Sequence, residues 1–274
     1  MPELPEVETV RITLKKEILN EKILSIQILN KNLRYPIECN FSNKVVNQSI
    51  KKIARRGKYL ILILTKNITI LLHLGMTGYF RFCNDANLIK HDHIIFDFKE
   101  KKMIYNDVRK FGFIKVYKSE NLNHSKHLVN LGLEPLDGKL NKNYLRKSIN
   151  YSKQSIKAYL MNFKNIVGIG NIYSSEILFD SAIHPCKLCS ALSNEEIDRL
   201  IISIKKILRK AIKLGGTSIK DYKDPMGKIG YFKNQLKVYA RDNKPCVNCK
   251  KNVTIKKIII QGRSTFFCEK CQKF

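Results

Sequence analysis

Two sets of residues in this chain could do chemistry. The first is a pair of cysteine knuckles, CVNC at 246–249 and CEKC at 268–271. Thiolates from Cys246, Cys249, Cys268 and Cys271 at that spacing suit a tetrahedral zinc site. Such a site is closed, with no position for water, so the one structural zinc ion expected here would stabilise a fold and would not catalyse. The second set stands at the start, MPELPEVETV, where an imino acid, Pro2, and a carboxylate, Glu3, occupy an end that is ordinarily loose. A third cysteine pair, CKLC at 186–189, could find a partner pair only in Cys39 and Cys83, which lack knuckle spacing. It reads as incidental thiols.

These residues need elements to hold them. Pro5 suits a first helical turn, and Val7, Val10, Leu14 and Ile18 follow at helical spacing, so a helix should fix the N-terminus. Five short β-branched or aromatic runs come next: YLILIL (59–64), ITILLHL (68–74), HIIFDF (93–98), MIYNDV (103–108) and FIKVY (113–117). Their spacing predicts an antiparallel sandwich or barrel. After the connector LGLEPLDG the pattern turns helical, with helices over 155–163 and after GIGN (168–171). A third runs from a capping box at Ser193 and Glu196 to Gly215–Gly216. From Thr217 to Asn234 the chain reads as a long loop. Between the knuckles, TIKKIIIQGRSTFFC predicts a hairpin with Gln261–Gly262 at its tip and Arg263 projecting from it, placed to enter a groove.

The chain has 274 residues, with 51 Lys and Arg against 23 acidic residues, a net charge of +28. An excess this large points to a polyanionic partner. Abundant Lys, Ile and Asn could also reflect an AT-rich genome. No apolar run reaches membrane-spanning length and the charged start is unlike a secretory signal, so no membrane partner and a cytoplasmic location are expected.

PELPEVE at the start, RRGKYL (55–60), HLGMTG (73–78), NDVRKFG (106–112), GIGNIY (168–173) and QGRST ahead of CEKC occur in this order. Together they resemble the bacterial formamidopyrimidine-DNA glycosylases, which excise 8-oxoguanine, over nearly the whole chain. The resemblance implies that Pro2, freed of Met1, is a secondary-amine nucleophile. Amines of this kind titrate near about 8, so a neutral fraction could attack C1′ of a damaged nucleotide. The resulting iminium would permit β- and then δ-elimination. Glu3 would shuttle protons, and Glu6, one helical turn along, could hold the amine. Lys58 and Arg263 would serve at the sugar and its phosphates. Met76, Arg109 and Phe111 would fill the space left by the flipped nucleotide. Asn171 would contact a DNA phosphate, His91 and Lys153 would make further DNA contacts, and the loop at 216–232 would read the lesion.

The implied fold is α+β and multidomain. It comprises an N-terminal antiparallel β-sandwich with an N-terminal helix (1–130), a linker (131–150), a helix–two-turn–helix domain with the lesion loop (151–236) and a C-terminal four-cysteine zinc-finger β-hairpin (237–274). The expected partner is damaged double-stranded DNA, bound by a monomer in the cleft between domains. The rivals are an endonuclease VIII-like glycosylase for oxidised pyrimidines and a non-catalytic zinc DNA-binding protein of the same fold.

Overall fold

In the computed structural model, residues 1–85, 87–217 and 230–274 are described. The chain forms two compact units, one of Met1–Val129 with Leu214–Lys233 and one of Asn130–Lys213 with Asn234–Phe274.

The first unit starts with α1 (Leu4–Ile18), which buries Val7, Val10, Leu14 and Ile18. Those four are the apolar stripe of the sequence, and each buried side chain of this size contributes about 1.5–3 kcal/mol. The strands are β1 (Ser25–Ile28), β2 (Ile50–Arg56), β3 (Tyr59–Leu64), β4 (Ile68–His73), β5 (Tyr79–Cys83), β6 (Asp92–Asp97), β7 (Lys102–Asn106) and β8 (Phe113–Lys118), with a short helix α2 (Phe41–Val45) between β1 and β2. They make two four-stranded antiparallel sheets, ordered β1-β6-β7-β5 and β2-β3-β4-β8. One core joins them to α1: Leu60, Leu62 and Leu64 meet Ile70, Phe80, Phe96 and Tyr105 there. All five strands read from the sequence are present. β1, β2 and β5 were not legible: β1 has four residues, and β2 carries four basic residues and a register shift between Ile50 and Lys52 that breaks its alternation.

The second unit holds α3 (Lys142–Ile149), α4 (Ile156–Met161), α5 (Asn171–Asp180) and α6 (Asn194–Lys213). α3 lies in the span expected to be a linker. Leu145 and Ile149 are buried, and the Asn141 side chain caps the helix by accepting from the Tyr144 N–H at 2.9 Å. α6 begins with the expected box: Glu196 N–H donates to Ser193 Oγ (3.2 Å) and Ser193 N–H to Glu196 Oε2 (2.9 Å). A small paired segment, β9 (Pro245–Cys246) with β10 (Lys250–Thr254), precedes the hairpin β11 (Lys256–Ile260) and β12 (Arg263–Phe267). The hairpin turns on Gln261 (φ 47°) and Gly262 (φ 70°), the left-handed pair a two-residue turn needs. The expected loop after Thr217 is shorter at its far end, where Phe232–Gln235 form a 3-10 turn; residues 218–229, and with them the body of that loop, lie outside the described residues. Among the described residues no helix is long and apolar enough to cross a membrane.

Candidate functional site

In the first unit, Pro2 is buried and Glu3 is the N-cap of α1, 3 % exposed. Glu6 makes this start rigid. Its Oε2 accepts the Glu3 N–H at 2.8 Å, and its Oε1 accepts both the N–H and the hydroxyl of Thr217 at 2.8 Å. Glu6 thus grips the backbone one residue on from Pro2 and ties it to a segment 211 positions away. Thr217 in turn bridges Tyr231, so the base of the 218–229 segment is fastened to α1. Gly216 is required here, since a Cβ would meet Glu6 Oε1 at 2.8 Å and φ is +77°.

Lys58 lies half-buried in the turn between β2 and β3. The next link in the brace is Glu8 on α1, which accepts from Arg11 (2.7 Å) and from Arg55 Nε (2.8 Å). Arg55 also donates to the Gly57 carbonyl at 2.9 Å, beside Lys58. Burial raises the Glu8 pKa, but the Arg11 and Arg55 guanidinium groups outweigh it and hold the carboxyl below its ordinary range. One ionised carboxylate thus couples the helix bearing Glu3 to the turn bearing Lys58.

Met76, Arg109 and Phe111 come together. With Met1, Arg34, His73, Gly75 and Lys110 they line an open recess of about 550 Å³. Phe111 is 45 % exposed, and the Arg109 guanidinium carbon sits 4.6 Å from its ring centre. The two loops that carry them are fused by Asp107, which is fully buried. Its carboxylate accepts from the Thr77 hydroxyl, the Gly112 N–H (2.8 Å) and the Tyr105 hydroxyl (3.3 Å), while Thr77 Oγ1 accepts the Arg109 N–H (3.0 Å). Gly75 (φ +65°) packs so closely that a Cβ would meet Gly112 N at 2.4 Å. His91, also at positive φ (74°), accepts the Asp107 N–H on its carbonyl at 3.1 Å and so adjoins the same loop.

His73, Asp107 and Thr77 are members of this site that residue-by-residue reading passed over, although they stand inside HLGMTG and NDVRKFG. A carboxylate next to a β-strand, with hydroxyls on neighbouring segments, was the available signal. His73 Nδ1 accepts the Gly75 N–H at 3.0 Å. Burial, then the charges of Lys58, Arg34 and His127, pull its pKa down to about 4, so the ring is neutral at pH 7.

In the second unit Asn171 opens α5 and donates from Nδ2 to the Ser264 carbonyl on β12 at 2.9 Å; its Oδ1 is buried with no hydrogen-bond partner. Arg263, the neighbour of Ser264, is exposed at the start of β12. Lys153 is exposed on the loop ahead of α4. Glu176 on α5 accepts the backbone N–H groups of Lys237, Val238 and Tyr239 at 2.9, 3.0 and 2.8 Å and so anchors the segment entering the cysteine module.

Cys246, Cys249, Cys268 and Cys271 gather with their sulfurs within 4.8 Å of one another. Sγ–Sγ separations of 3.8, 3.9 and 3.3 Å lie near the edge of about 3.8 Å that four metal–sulfur bonds of about 2.3 Å would give a tetrahedron. Burial, and then the thiols of Cys249, Cys268 and Cys246, push the Cys271 thiol far above its usual range, so four thiolates here require a cation. The donor set therefore fits a metal. Among the described residues the CKLC cysteines join no such cluster; Cys189 is buried, and burial raises its thiol to about 11.

Comparison with known proteins gives a consistent result. Residues 1–114 match the formamidopyrimidine-DNA glycosylase N-terminal domain, and residues 131–223 match the H2TH domain of those proteins. A formamidopyrimidine-DNA glycosylase of Rickettsia bellii (strain OSU 85-389) is 40 % identical over 275 residues, covering 100 % of both chains. One of Wolbachia pipientis is 42 % identical over 274 residues, covering 99 % of this chain and 100 % of the relative. Among solved structures, Lactococcus lactis Fpg with DNA containing an abasic site aligns at TM-score 0.91 and 36 % identity, over 99 % of this chain and 100 % of that one. The same protein with N7-benzyl-Fapy-dG DNA aligns at TM-score 0.91 and 37 % identity, over 100 % of both.

Proposed function

The chain belongs to the formamidopyrimidine-DNA glycosylase family, a DNA glycosylase of base excision repair, and from that premise we propose that it removes oxidised purines from duplex DNA and then cleaves the strand through an iminium of Pro2. The observation that carries this reading is that Met1, the residue before Pro2, lines the same recess as Met76, Arg109 and Phe111. Removal of Met1 would free a secondary amine beside the side chains that would occupy a vacated base position.

In this reading the neutral Pro2 nitrogen attacks C1′ of an extruded nucleotide and the base departs with the glycosidic electron pair. Glu3, held by Glu6, exchanges protons with the sugar and the leaving base. The C1′–O4′ bond then opens, with O4′ taking a proton and the nitrogen lone pair forming the iminium. Loss of the 2′ hydrogen from the iminium expels the 3′ phosphate, and a second elimination expels the 5′ phosphate. Lys58 and Arg263 stabilise the phosphate leaving groups. Met76 and Phe111 wedge between bases and Arg109 hydrogen-bonds the orphaned base. Asn171 binds a phosphate, and His91 and Lys153 make further DNA contacts. Zinc is the metal proposed for the four cysteines, where it would hold the Arg263 hairpin rigid.

Borohydride trapping on an 8-oxoguanine:cytosine duplex tests this. The mature chain should give a covalent adduct, and Pro2→Gly or a chain retaining Met1 should not. Absence of an adduct in the mature chain would overturn the mechanism. Faster trapping on thymine glycol than on 8-oxoguanine would favour an oxidised-pyrimidine substrate.

A further inference from the structure

Beside the wedge lies a cluster that the proposed chemistry does not use. Tyr35 stands edge-on to Phe113 and to His127, with ring centres 5.3 and 5.5 Å apart. Around the Tyr35 ring are Lys115 Nζ at 4.7 Å, Lys126 Nζ at 5.1 Å and the Arg34 guanidinium carbon at 5.8 Å. All three charges thus lie within one Debye length, about 10 Å at 0.1 M salt, of a common centre. The ring offsets part of their mutual repulsion, by roughly 0.5–1 kcal/mol for each exposed cation over a face.

Several cations elsewhere on this unit have carboxylates: Lys44 meets Glu38 at 2.8 Å, Lys101 meets Glu17 at 2.7 Å and Lys102 meets Asp97 at 3.1 Å. Among the described residues none of Arg34, Lys115 and Lys126 is in an ion pair. The cluster includes a further unused donor or acceptor, since His127 Nε2 is buried with no hydrogen-bond partner. Burial, then Lys115, Lys126 and Arg34, lower the His127 pKa, so the ring adds no fourth charge at neutral pH.

Arg34 joins this cluster to the wedge. Its backbone N–H donates to the Gly112 carbonyl at 3.1 Å, and the residue lines the recess with Met76, Arg109 and Phe111. A duplex entered by those side chains brings its backbone to Arg34, and the next anion along that backbone meets Lys115 and Lys126. We propose that Arg34, Lys115 and Lys126, gathered on Tyr35, form a phosphate subsite that grips DNA backbone running on from the wedge. It rests on the DNA glycosylase reading above and extends it to contacts outside the lesion.

The test is equilibrium binding of the full chain to a duplex with a stable abasic-site analogue, across a salt series. Each neutralised phosphate adds about 0.9 to the log–log slope. Lys115→Ala and Lys126→Ala should each lower the slope by about that amount, Lys126→Glu by more, and Lys126→Arg should restore the wild-type value. Urea unfolding of each variant separates a lost contact from a lost fold. Slopes equal to wild type in correctly folded Lys115→Ala and Lys126→Glu would overturn the subsite. Failure of wild-type borohydride trapping would sink the catalytic reading instead, so the two outcomes are distinguishable.

Discussion

The sandwich and the cysteine module position their exposed side chains by different means. In the sandwich, α1 and two sheets share a large apolar core, and the loops above it are fixed by buried carboxylates: Glu6 to Thr217, Asp107 to Thr77 and Gly112. The module's core is Phe179, Val238, Cys246, Ile255, Phe266 and Cys268, partly borrowed from α5. A core that small does not hold a hairpin by hydrophobic burial alone, and four thiols supply the remaining restraint. Glu176 repeats the carboxylate device in the second unit, at the strap entering the module. Damage should therefore be graded in the sandwich and all-or-none in the module.

Metal removal should produce the largest effect. Structural zinc can contribute on the order of 10 kcal/mol to such a module. A chelator, or Cys268→Ser, should expose 237–274 to proteolysis while α1 and the two sheets stay protected. Metal content and hydrogen exchange read the two regions separately. A module that keeps its protection without metal would erase the contrast with the sandwich. Next comes Asp107→Ala, which strands the Thr77 hydroxyl, the Gly112 N–H and the Tyr105 hydroxyl. Each buried donor left unpaired costs about 1–3 kcal/mol, so a loss of about 3 kcal/mol is expected in urea unfolding, with Asp107→Asn milder. A loss below about 1 kcal/mol would mean that the apolar core, and not the carboxylate, fixes these loops.

What could be read beforehand follows the same division. α1, the five apolar strands, the capped α6 and the Gln261–Gly262 hairpin were legible because each announces itself locally, by period, cap or turn residue. β2 was not, because IKKIARR carries four basic residues and gives up its alternation at the register shift between Ile50 and Lys52. α3 was hidden by a connector-like composition, although Asn141 marked its start. Glu6 and Asp107 could be named from the sequence, but their partners Thr217 and Thr77 are 211 and 30 residues away, and no local pattern encodes such pairs. The four cysteines were the opposite case, since knuckle spacing itself carries the pairing.

The smallest expected effect separates the regions by the sign of a pH slope. His73 titrates near about 4 in the folded chain, lowered by burial and then by Lys58, Arg34 and His127. The unfolded ring takes its proton near about 6.5. Between those values the unfolded state binds more protons, so the contribution of His73 is present above about pH 6.5 and is lost as pH falls toward about 4. Protonation also removes the acceptor for the Gly75 N–H, which loosens the loop that carries Met76. Glu176 carries the opposite sign. Burial raises its pKa despite three backbone N–H bonds, so its contribution is present below the ordinary carboxylate value and is lost as pH rises through the folded one. The clean variant is His73→Asn, whose Oδ1 can still accept from Gly75 but does not titrate. Urea midpoints followed by circular dichroism from pH 7 to pH 4 (about the His73 window) should fall less steeply in this variant. One proton sets a ceiling of about 1.4 kcal/mol per pH unit, and contact of the ring edge with water lowers it. An unchanged slope would mean that the ring already carries its proton in the folded chain, and that the Gly75 turn is held by the close backbone packing against Gly112 alone.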